Sequence, residues 1–506
     1  MTGSSGRHAA LLGVICLAFI VLATANSGGY RFGIGDQAFY EPATELRLHP
    51  DFFPRDRALL DSQAKLTVID EALAGAARVT GLDLPSLFLA LYVLSLVILC
   101  VAAAQFARLL GFSPWAMAAF LALLTLRHRI AKTGANTLEG YMHPRQLAFG
   151  VGILALTASV KNRWGWTIVL LALAAVIHPT TAAWFVVMIA GGAILDTLVR
   201  HREAPTFGVL LVVLLAIRAL SPSLAGHWRL PGFAMMDPAW TAVFADKDYI
   251  LLSAWPIYAW IFNLAYLPVI WLIARRRRDA GVAHHHESRI VAGALALFAF
   301  FVVSAFFSEG RLALAVQLQV SRVFWLLDLL VTLYVAWWLT SDPWVIRVAG
   351  RRAPAIVLAV VVVFSAGRGA YTIAQGGPQR LLVRRDLPAD DWTRAMQWIR
   401  SQPADWLILA DPDHAWKFGT SVRVAASRDV VLESVKDTAI SLYDRDVAMR
   451  VAERRQTLGN FTDLTADEAR ALGRRYGAAV MVTEASRVLA LPRLFANAGF
   501  TVYGLR

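Results

Sequence analysis

Charge is scarce in this sequence. Only 17% of the 506 residues are charged, whereas a soluble globular domain carries roughly 25%. Hydrophobic residues make up 57%, and the mean hydropathy is +0.53. This composition argues against a soluble enzyme, a disordered protein, and a nucleic-acid binder whose net charge of +13 would reflect contact with DNA. It predicts instead an α-helical polytopic membrane protein.

Cysteine is almost absent too. Both cysteines, Cys16 and Cys100, lie in apolar runs, so a disulfide framework is not expected. The sequence also lacks a convincing dinucleotide fingerprint, Walker loop or Gly-x-Ser-x-Gly elbow. These absences argue against ATP-driven transport by this chain alone.

The charges that are present divide the chain in two. Residues 373–506 hold 19 Lys/Arg and 16 Asp/Glu, an ordinary density of charge for a soluble domain. Residues 1–372 form a much longer segment but hold only 30 Lys/Arg and 20 Asp/Glu. We therefore predict a transmembrane module over 1–372 and a soluble α/β domain over 373–506. Sequence patterns in the second domain predict helices at 392–400, 442–455 and 465–476, the last with Thr465 and Glu468 as its cap, and strands at 406–410, 429–432, 478–483 and 501–505.

Eleven apolar windows are candidate membrane-spanning helices: 9–26, 86–108, 113–127, 146–160, 165–179, 180–198, 206–221, 250–274, 289–307, 321–340 and 354–372. Basic residues, including Arg7 and Arg275 to Arg278, dominate the loops of one side and predict that this side is cytoplasmic. Because the number of spans is odd, the C-terminal domain is expected outside, in the periplasm if the membrane is a bacterial inner membrane. The long segments 27–85, 127–145 and 221–249 would also lie outside, which predicts a function on that face.

The first outer loop, 27–85, begins with the segment Gly33-Ile34-Gly35-Asp36-Gln37-Ala38-Phe39-Tyr40-Glu41-Pro42. Asp36 follows the first span so closely that its carboxylate would lie near the membrane surface, where it could act as a general base. The alternative is a solvated aspartate that caps the next helix. Apolar periodicity predicts amphipathic helices at 40–48 and 59–79, which would form one wall of a groove.

The second outer segment, 132–146, places Glu139, His143 and Arg145 at the mouth of the fourth span. A guanidinium suits a phosphate because it donates to two oxygens at once, although Arg145 could also be a snorkelling anchor at the interface. Spans three to five are short, nearer roughly 15 apolar residues than 20. Short spans predict that the loops between them sink below the headgroups and line a cavity; the alternative is that the spans extend a few residues further.

Other polar residues occur near the outer ends of later spans. His178, in the turn between spans five and six, would be costly at membrane depth unless it is functional or hydrogen-bonded within the hairpin. Glu309, Gln319 and Arg322 cluster before span ten. Arg322 is expected either to pair with Asp36, Glu309 or a lipid phosphate, or to anchor the helix at the interface.

Together these features resemble the GT-C superfamily of integral-membrane glycosyltransferases, which take sugars from polyprenyl-phosphate carriers. The likeness covers nearly the whole chain, and Gly35, Asp36 and Tyr40 match the Gly-Asp-x-x-x-Tyr start of the first outer loop in uncharacterised bacterial members. The family's catalytic acid maps onto Asp36 and its second-loop acid onto Glu139. A paired acidic motif of many relatives is missing here, since Glu41 lies five residues after Asp36.

The resemblance implies inverting transfer of a sugar to a lipid, glycan or protein acceptor. Asp36 would accept the proton of the acceptor hydroxyl, and cations would stabilise the lipid phosphate that leaves. The residues implied in binding the donor or its phosphate are Tyr40, His143, Arg145, His178, Gln319 and Arg322. No cofactor is certain, and a divalent metal, Mg²⁺ or Mn²⁺, held by Asp36, Glu139 or Glu309 stays open. The expected partners are the bilayer, the carrier-linked sugar and an acceptor of unknown identity, but no nucleic acid.

Two other functions stay open. A transporter or polymerase subunit for lipid-linked saccharides would place charges through the spans and repeat one half of the chain in the other. Neither pattern is evident, and Asp328 is the only charged residue well inside a predicted span. A catalytically inactive scaffold with an outer recognition domain is the other alternative.

Overall fold

The structure is a computed structural model that describes residues 2–200, 234–247, 249–377 and 380–506, without the side chains of 2–11 and 199–200. The predicted span at 206–221 and part of the predicted outer segment 221–249 lie outside the described residues. The described chain is mostly helical, and a mixed five-stranded sheet lies near its C-terminus.

Six helices among the described residues are long and apolar enough to cross a membrane: Leu84–Leu109, Pro179–Leu198, Ile257–Asp279, Glu287–Glu309, Ala313–Ser341 and Ala353–Gln375. Shorter apolar helices occupy Leu12–Asn26, Pro114–Leu124, Pro144–Val160 and Trp164–Ile177. These ten helices lie where the sequence predicted spans, and the remaining predicted span, 206–221, is outside the described residues. By length and composition the six long helices support a multi-pass membrane protein.

Several helix boundaries differ in detail from these apolar stretches. The first helix runs over Thr2–Asn26, the sixth apolar helix over Pro179–Arg200, and Ala313–Ser341 consists of Ala313–Leu318, a 3₁₀ turn at Val320–Val323, and Phe324–Ser341. Short helical segments also occur at Pro238–Ala242, Leu252–Ala254 and Pro343–Ala349. The helices predicted to be short are short, with 11, 17 and 14 residues.

Proline marks the beginning of several helices. Ser113, His143 and Asp342 each precede a proline, and each side chain accepts a hydrogen bond from a backbone N–H of the first turn. Proline suits this position because its missing N–H has no partner there anyway. The His-Pro pair therefore fixes His143 at the start of the helix Pro144–Val160.

The first loop, residues 27–85, contains β1 (Tyr30–Arg31) and the helices Gln37–Leu48, Arg57–Ala64 and Ile69–Thr80. The single helix predicted at 59–79 is wrong, because the chain breaks at 65–68. There the Thr67 hydroxyl donates to the carbonyl oxygen of Ile177 at 2.8 Å, and the backbone N–H of Val68 donates to the carbonyl oxygen of Val176 at 3.1 Å. The break thus supplies donors to the open carboxyl end of the neighbouring apolar helix.

The strands of the C-terminal sheet are β3 (Leu407–Leu409), β4 (Asp429–Val430), β5 (Ala478–Glu484), β6 (Arg493–Ala496) and β7 (Phe500–Gly504), whereas β2 (Val383–Arg384) pairs with β1. Their order in the sheet is β4-β3-β5-β7-β6. β3 is parallel to β4 and β5, and β7 is antiparallel to β5 and β6. Four of the five strands were predicted; β6 was missed because this edge strand is largely exposed and has no buried apolar face.

Helices in the same region occupy Asp391–Arg400, His414–Lys417, Val422–Ala426, Ser434–Ile440, Arg445–Leu458 and Ala466–Tyr476, with a 3₁₀ turn at Phe461–Asp463. Of these, Asp391–Arg400, Val422–Ala426 and Ala466–Tyr476 pack against strands of the sheet. The helix predicted at 442–455 begins instead at Arg445, because the Asp444 carboxylate accepts the first free N–H groups. The predicted capping box of Thr465 and Glu468 is present.

A buried ion-pair network joins the first loop to the C-terminal region. Asp56 of the loop accepts from Arg423 Nε at 2.8 Å and also pairs with Arg450. Arg423 in turn binds both carboxylate oxygens of Asp437, at 2.7 and 3.1 Å. Burial would raise the pKa of Asp56, but Arg423 and then Arg450 outweigh it and lower the pKa to about 2. The two regions are therefore joined by an ion-pair network in which Asp56, Arg423 and Asp437 are almost fully buried.

Candidate functional site

Asp36 stands at the end of a glycine turn between β1 and the helix Gln37–Leu48. Gly33 and Gly35 have φ values of +78° and +58°, in the left-handed region that favours glycine. A Cβ added to Gly35 would lie 2.5 Å from the Tyr141 ring, so the turn also needs glycine for space. Asp36 occupies the N-cap position, but its side chain makes no capping hydrogen bond. The carboxylate is used elsewhere, and the capping alternative does not describe it.

Lys436 and His143 contact the Asp36 carboxylate. Nζ of Lys436 lies 2.5 Å from Oδ1, and Nε2 of His143 lies 2.9 Å from Oδ2. The Asp36 side chain is nevertheless 42% exposed. Burial would raise the pKa of Asp36, but the Lys436 ammonium and then His143 lower it well below its ordinary value. Asp36 is therefore a carboxylate at neutral pH, and solvent or a substrate can reach it.

His143 is oriented by the helix that it caps. Its Nδ1 accepts the backbone N–H of Arg145 at 3.1 Å, which assigns the proton to Nε2, where it faces Asp36. Burial and next the Arg145 cation lower the pKa of His143 to about 4. A neutral imidazole thus donates to Asp36 and adds no charge to the site.

Glu139 and Arg145 form a buried pair. Nη2 of Arg145 donates to Oε1 of Glu139 at 2.7 Å, and each side chain is 5% exposed. Asn136 donates to both Glu139 oxygens, at 3.2 and 3.1 Å. The guanidinium of Arg145 also lies over the Trp325 ring, 5.4 Å from its centroid. Arg145 is therefore an internal cation that Glu139 compensates, and it is not a snorkelling anchor.

His178 lies beside His143, and their ring centroids are 6.0 Å apart. Its Nδ1 accepts the N–H of Thr181 at 3.3 Å and also contacts the hydroxyls of Thr180 and Thr181. This is the hydrogen-bonded hairpin arrangement. Because Nδ1 accepts, the proton is on Nε2, which has no hydrogen bond to any described residue. His178 therefore combines the hairpin role with a donor that remains available.

Arg322 is the cation without a matching anion. Within the described ranges it forms no ion pair, its Nε is buried without an acceptor, and its guanidinium lies over the Tyr249 ring, 5.9 Å from the centroid. The nearby Gln319 donates to the Tyr443 hydroxyl at 3.1 Å, while its own Oε1 is buried without a donor. Leaving a buried donor unpaired costs free energy, so an anion beside Arg322 would be stabilised.

Tyr40 and Glu309 have different places. The Tyr40 ring is buried, 5.7 Å from that of His143, and Gln63 donates to its hydroxyl at 3.4 Å. Glu309 is exposed and accepts the N–H of Ser253 at 2.8 Å. In the part of the chain that the structure describes, no group of three or more His, Cys, Asp or Glu residues is arranged to hold a metal ion. The carboxylates named for a metal are not gathered into such a group.

Sequence reasoning missed three residues of this site: Tyr249, Lys436 and Tyr443. Lys436 is 400 positions from Asp36, on the helix Ser434–Ile440. The composition of this segment is typical of the surface of a soluble domain. No pattern in the sequence marks Lys436. Tyr141 was within the second loop segment, but nothing singled it out as the ring packed on the turn at Gly35.

The charges of the site leave a positive remainder. Arg145 is balanced by Glu139, and Lys436 is balanced by Asp36, whereas Arg322 has no counterion among the described residues. The arrangement can therefore bind an anion next to an accessible carboxylate, with a neutral imidazole as a further donor.

No protein-family model matches the chain, and no curated protein matches its sequence significantly.

Proposed function

We propose that this protein is a membrane glycosyltransferase that moves a sugar from a polyprenyl-phosphate carrier to a lipid, glycan or protein acceptor. The observation that carries the proposal is that an accessible carboxylate, Asp36, shares a site with an uncompensated arginine, Arg322. Such a transfer requires a base for the acceptor and a cation for the phosphate. The resemblance to the GT-C superfamily supplies the substrate class.

The phosphate of the carrier belongs beside Arg322. This guanidinium can donate to two phosphate oxygens, and its buried Nε lacks the acceptor that a phosphate would provide. His178 Nε2–H is a second donor for the same anion. Arg145 contributes its field from a distance, because its own hydrogen bond goes to Glu139.

Asp36 is the group that accepts the proton of the acceptor. In the proposed step the acceptor hydroxyl gives its proton to an Asp36 oxygen while the hydroxyl oxygen attacks the anomeric carbon. The bond from that carbon to the phosphate oxygen breaks, its electron pair leaves with the phosphate, and the configuration is inverted. His143 holds the carboxylate in place, and the cations take up the charge on the lipid phosphate.

A non-catalytic binder of lipid phosphates is the second candidate, and one observation favours it. Both oxygens of Asp36 are in contact with partners, Lys436, His143 and the Tyr141 hydroxyl, and the depressed pKa makes the carboxylate a weak base. In this role Asp36 would only hold Lys436 near the anion. Transfer requires instead that the acceptor hydroxyl reaches a lone pair of the carboxylate that these contacts leave open.

Asp36→Asn separates the two candidates. The substitution is nearly isosteric but removes the oxygen that accepts a proton. The purified protein is incubated with polyprenyl-phosphate sugars, and the release of polyprenyl phosphate is measured. We expect the rate to fall by about 10²–10⁴-fold, as for the loss of a general base, while polyprenyl phosphate still binds.

Asp51→Asn is the matched control, because Asp51 lies in the same loop and is exposed. This variant should release polyprenyl phosphate at the wild-type rate. If Asp36→Asn does the same, Asp36 is not the base of the transfer. If the wild type itself binds polyprenyl phosphate but releases none from the donor sugars, the binding role replaces the enzymatic one.

A further inference from the structure

Lys436 enters the site from the far end of the chain. Its side chain is only 16% exposed, and its Nζ contacts Asp36 Oδ1 across 400 positions of sequence. A lysine that merely solubilised the C-terminal region would extend into water. Here the ammonium is directed at the one accessible carboxylate of the site.

The helix that carries Lys436 is fixed by the buried ion pairs. Asp437, the next residue, accepts two hydrogen bonds from Arg423, and Arg423 also binds Asp56 of the first loop. Asp437 further accepts the backbone N–H of Glu433 at 3.0 Å, at the start of the helix. The first loop therefore holds both Asp36 and the helix that carries its lysine, and it sets the distance between them.

The segment after this helix reaches the other side of the site. Leu442 and Tyr443 accept hydrogen bonds from the side chains of Gln317 and Gln319, next to Arg322. The carbonyl of Ser441 accepts the indole N–H of Trp240 at 2.8 Å. Residues 433–445 thus extend from Asp36 to the Arg322 end of the site, and Lys436 lies on this bridge.

We infer that Lys436 is a mobile cation that pairs with Asp36 before the donor binds and transfers to the phosphate of a bound polyprenyl-phosphate donor. Four methylene groups let the ammonium change partners without movement of the helix, and its charge is a compact point that does not need the planar geometry of arginine. The move would relieve Asp36 Oδ1 of its cation and make it a stronger base toward the acceptor's hydroxyl. This inference rests on the proposed function, and it assigns the C-terminal region a direct part in it.

Other groups near Asp36 cannot take this role. Tyr141, His143 and Lys436 contact Asp36. The other titratable groups that interact electrostatically with it are Tyr40, Glu139, His178, Tyr249, Arg322 and Tyr443. Among the cations of the site, Arg145 is tied to Glu139, and of the described residues only Lys436 forms an ion pair of Lys or Arg with Asp36. Loss of Lys436 should therefore raise the pKa of Asp36, so that protonation removes the base at a higher pH.

The test compares Lys436→Met with Lys436→Arg and with a control, Lys417→Met. Lys417 is also on the C-terminal region and also pairs with an aspartate, Asp411, but it is 41% exposed. Binding of polyprenyl phosphate is measured by native mass spectrometry in detergent, and the pH dependence of donor cleavage is measured where cleavage occurs. Thermal unfolding verifies that each variant is folded.

We expect Lys436→Met to weaken polyprenyl-phosphate binding by about 10–100-fold, the effect of losing a charged hydrogen bond. The acid limb of its pH–rate profile should move to higher pH, Lys436→Arg should retain most of the binding, and Lys417→Met should match the wild type. If folded Lys436→Met binds as well as the wild type, or cleaves the donor faster, the inference is wrong. If the wild type binds polyprenyl phosphate but does not cleave the donor, the proposed function is wrong. The comparison of polyprenyl-phosphate binding between the wild type and Lys436→Met would still decide the role of Lys436.

Discussion

At the scale of single residues, the two arginines predicted to bind phosphate have different surroundings. Arg145 is 5% exposed, pairs with Glu139 and stacks on Trp325. Arg322 has no carboxylate partner among the described residues and lies on Tyr249. The first is part of the internal framework of the site, and the second is free to take a ligand.

Substitution by lysine should separate these roles. Arg145→Lys is expected to lower the free energy of unfolding by about 1–3 kcal/mol, because lysine loses the stacking on Trp325 and leaves the buried Glu139 poorly bound. Arg322→Lys is expected to leave the free energy of unfolding unchanged. It should weaken polyprenyl-phosphate binding, because lysine lacks the planar guanidinium that donates to two phosphate oxygens at once. Chemical denaturation in detergent and a binding titration measure the two effects. Equal effects of both substitutions on both measurements would contradict the assignment.

Short polar motifs explain how much of the site the sequence could identify. Asp36, His143 and Arg145 stand in polar stretches between apolar runs, where a charged group is conspicuous, and the structure brings His143 into contact with Asp36. Glu139 was found for the same reason, but its pairing with Arg145 could not be inferred from spacing. Lys436 could not be found at all, because its role depends on a tertiary contact with no local pattern.

At the scale of elements, apolar length predicted the membrane helices well, and it failed where polar contacts decide the boundary. The short helices Pro114–Leu124 and Trp164–Ile177 lie where short spans were predicted. The loop between Pro114–Leu124 and Pro144–Val160 contains no helix and is mostly buried, as is required when irregular backbone lies inside the protein. The helix predicted at 59–79 was wrong because Thr67 bonds to a neighbouring helix, which no periodicity reveals.

Close packing of two long helices gives a prediction at this scale. A Cβ added to Gly293, in Glu287–Glu309, would lie 2.5 Å from the carbonyl oxygen of Met188, in Pro179–Arg200. Gly293→Leu should therefore force the helices apart and lower the free energy of unfolding by about 1–3 kcal/mol or more. Gly367→Leu, in the apolar helix Ala353–Gln375, is the control, because no atom lies within 4 Å of the added Cβ. Similar thermal unfolding of both variants would show that the two helices do not need this contact.

At the scale of the whole molecule, the first loop and the C-terminal region form one body. They share the β1–β2 pair and the bonds between Asp56 and Arg423, and a continuous apolar core runs through both. The last apolar helix ends at Gln375. The division into two domains at 372/373 stays a prediction from composition, since composition has no information on which loop the C-terminal region packs against.

This joining constrains the topology of the chain. The first loop and the C-terminal region have to lie on the same side of the membrane, since buried ion pairs connect them. After Asp279 the chain passes through three apolar helices, Glu287–Glu309, Phe324–Ser341 and Ala353–Gln375, before it reaches β2. If each helix crosses the bilayer, Asp279 is on the opposite side from the C-terminal region, and the basic residues next to it predict that its side is the cytoplasm.

Labelling of single cysteines tests this topology. Val79, Trp416 and Asp279 have side chains that are 87%, 83% and 69% exposed, in the first loop, the C-terminal region and the basic end of Ile257–Asp279. Each is replaced by cysteine in a background that lacks the native cysteines, and cells are treated with a membrane-impermeant maleimide. Val79→Cys and Trp416→Cys should be labelled in cells whose outer envelope admits the reagent but whose cytoplasmic membrane is intact. Asp279→Cys should be labelled only after lysis. Labelling of Val79→Cys and Trp416→Cys from different sides would contradict the contacts that join the two regions. Labelling of all three from one side would mean that the last three apolar helices do not each cross the membrane, because three crossings must bring the chain to the other face.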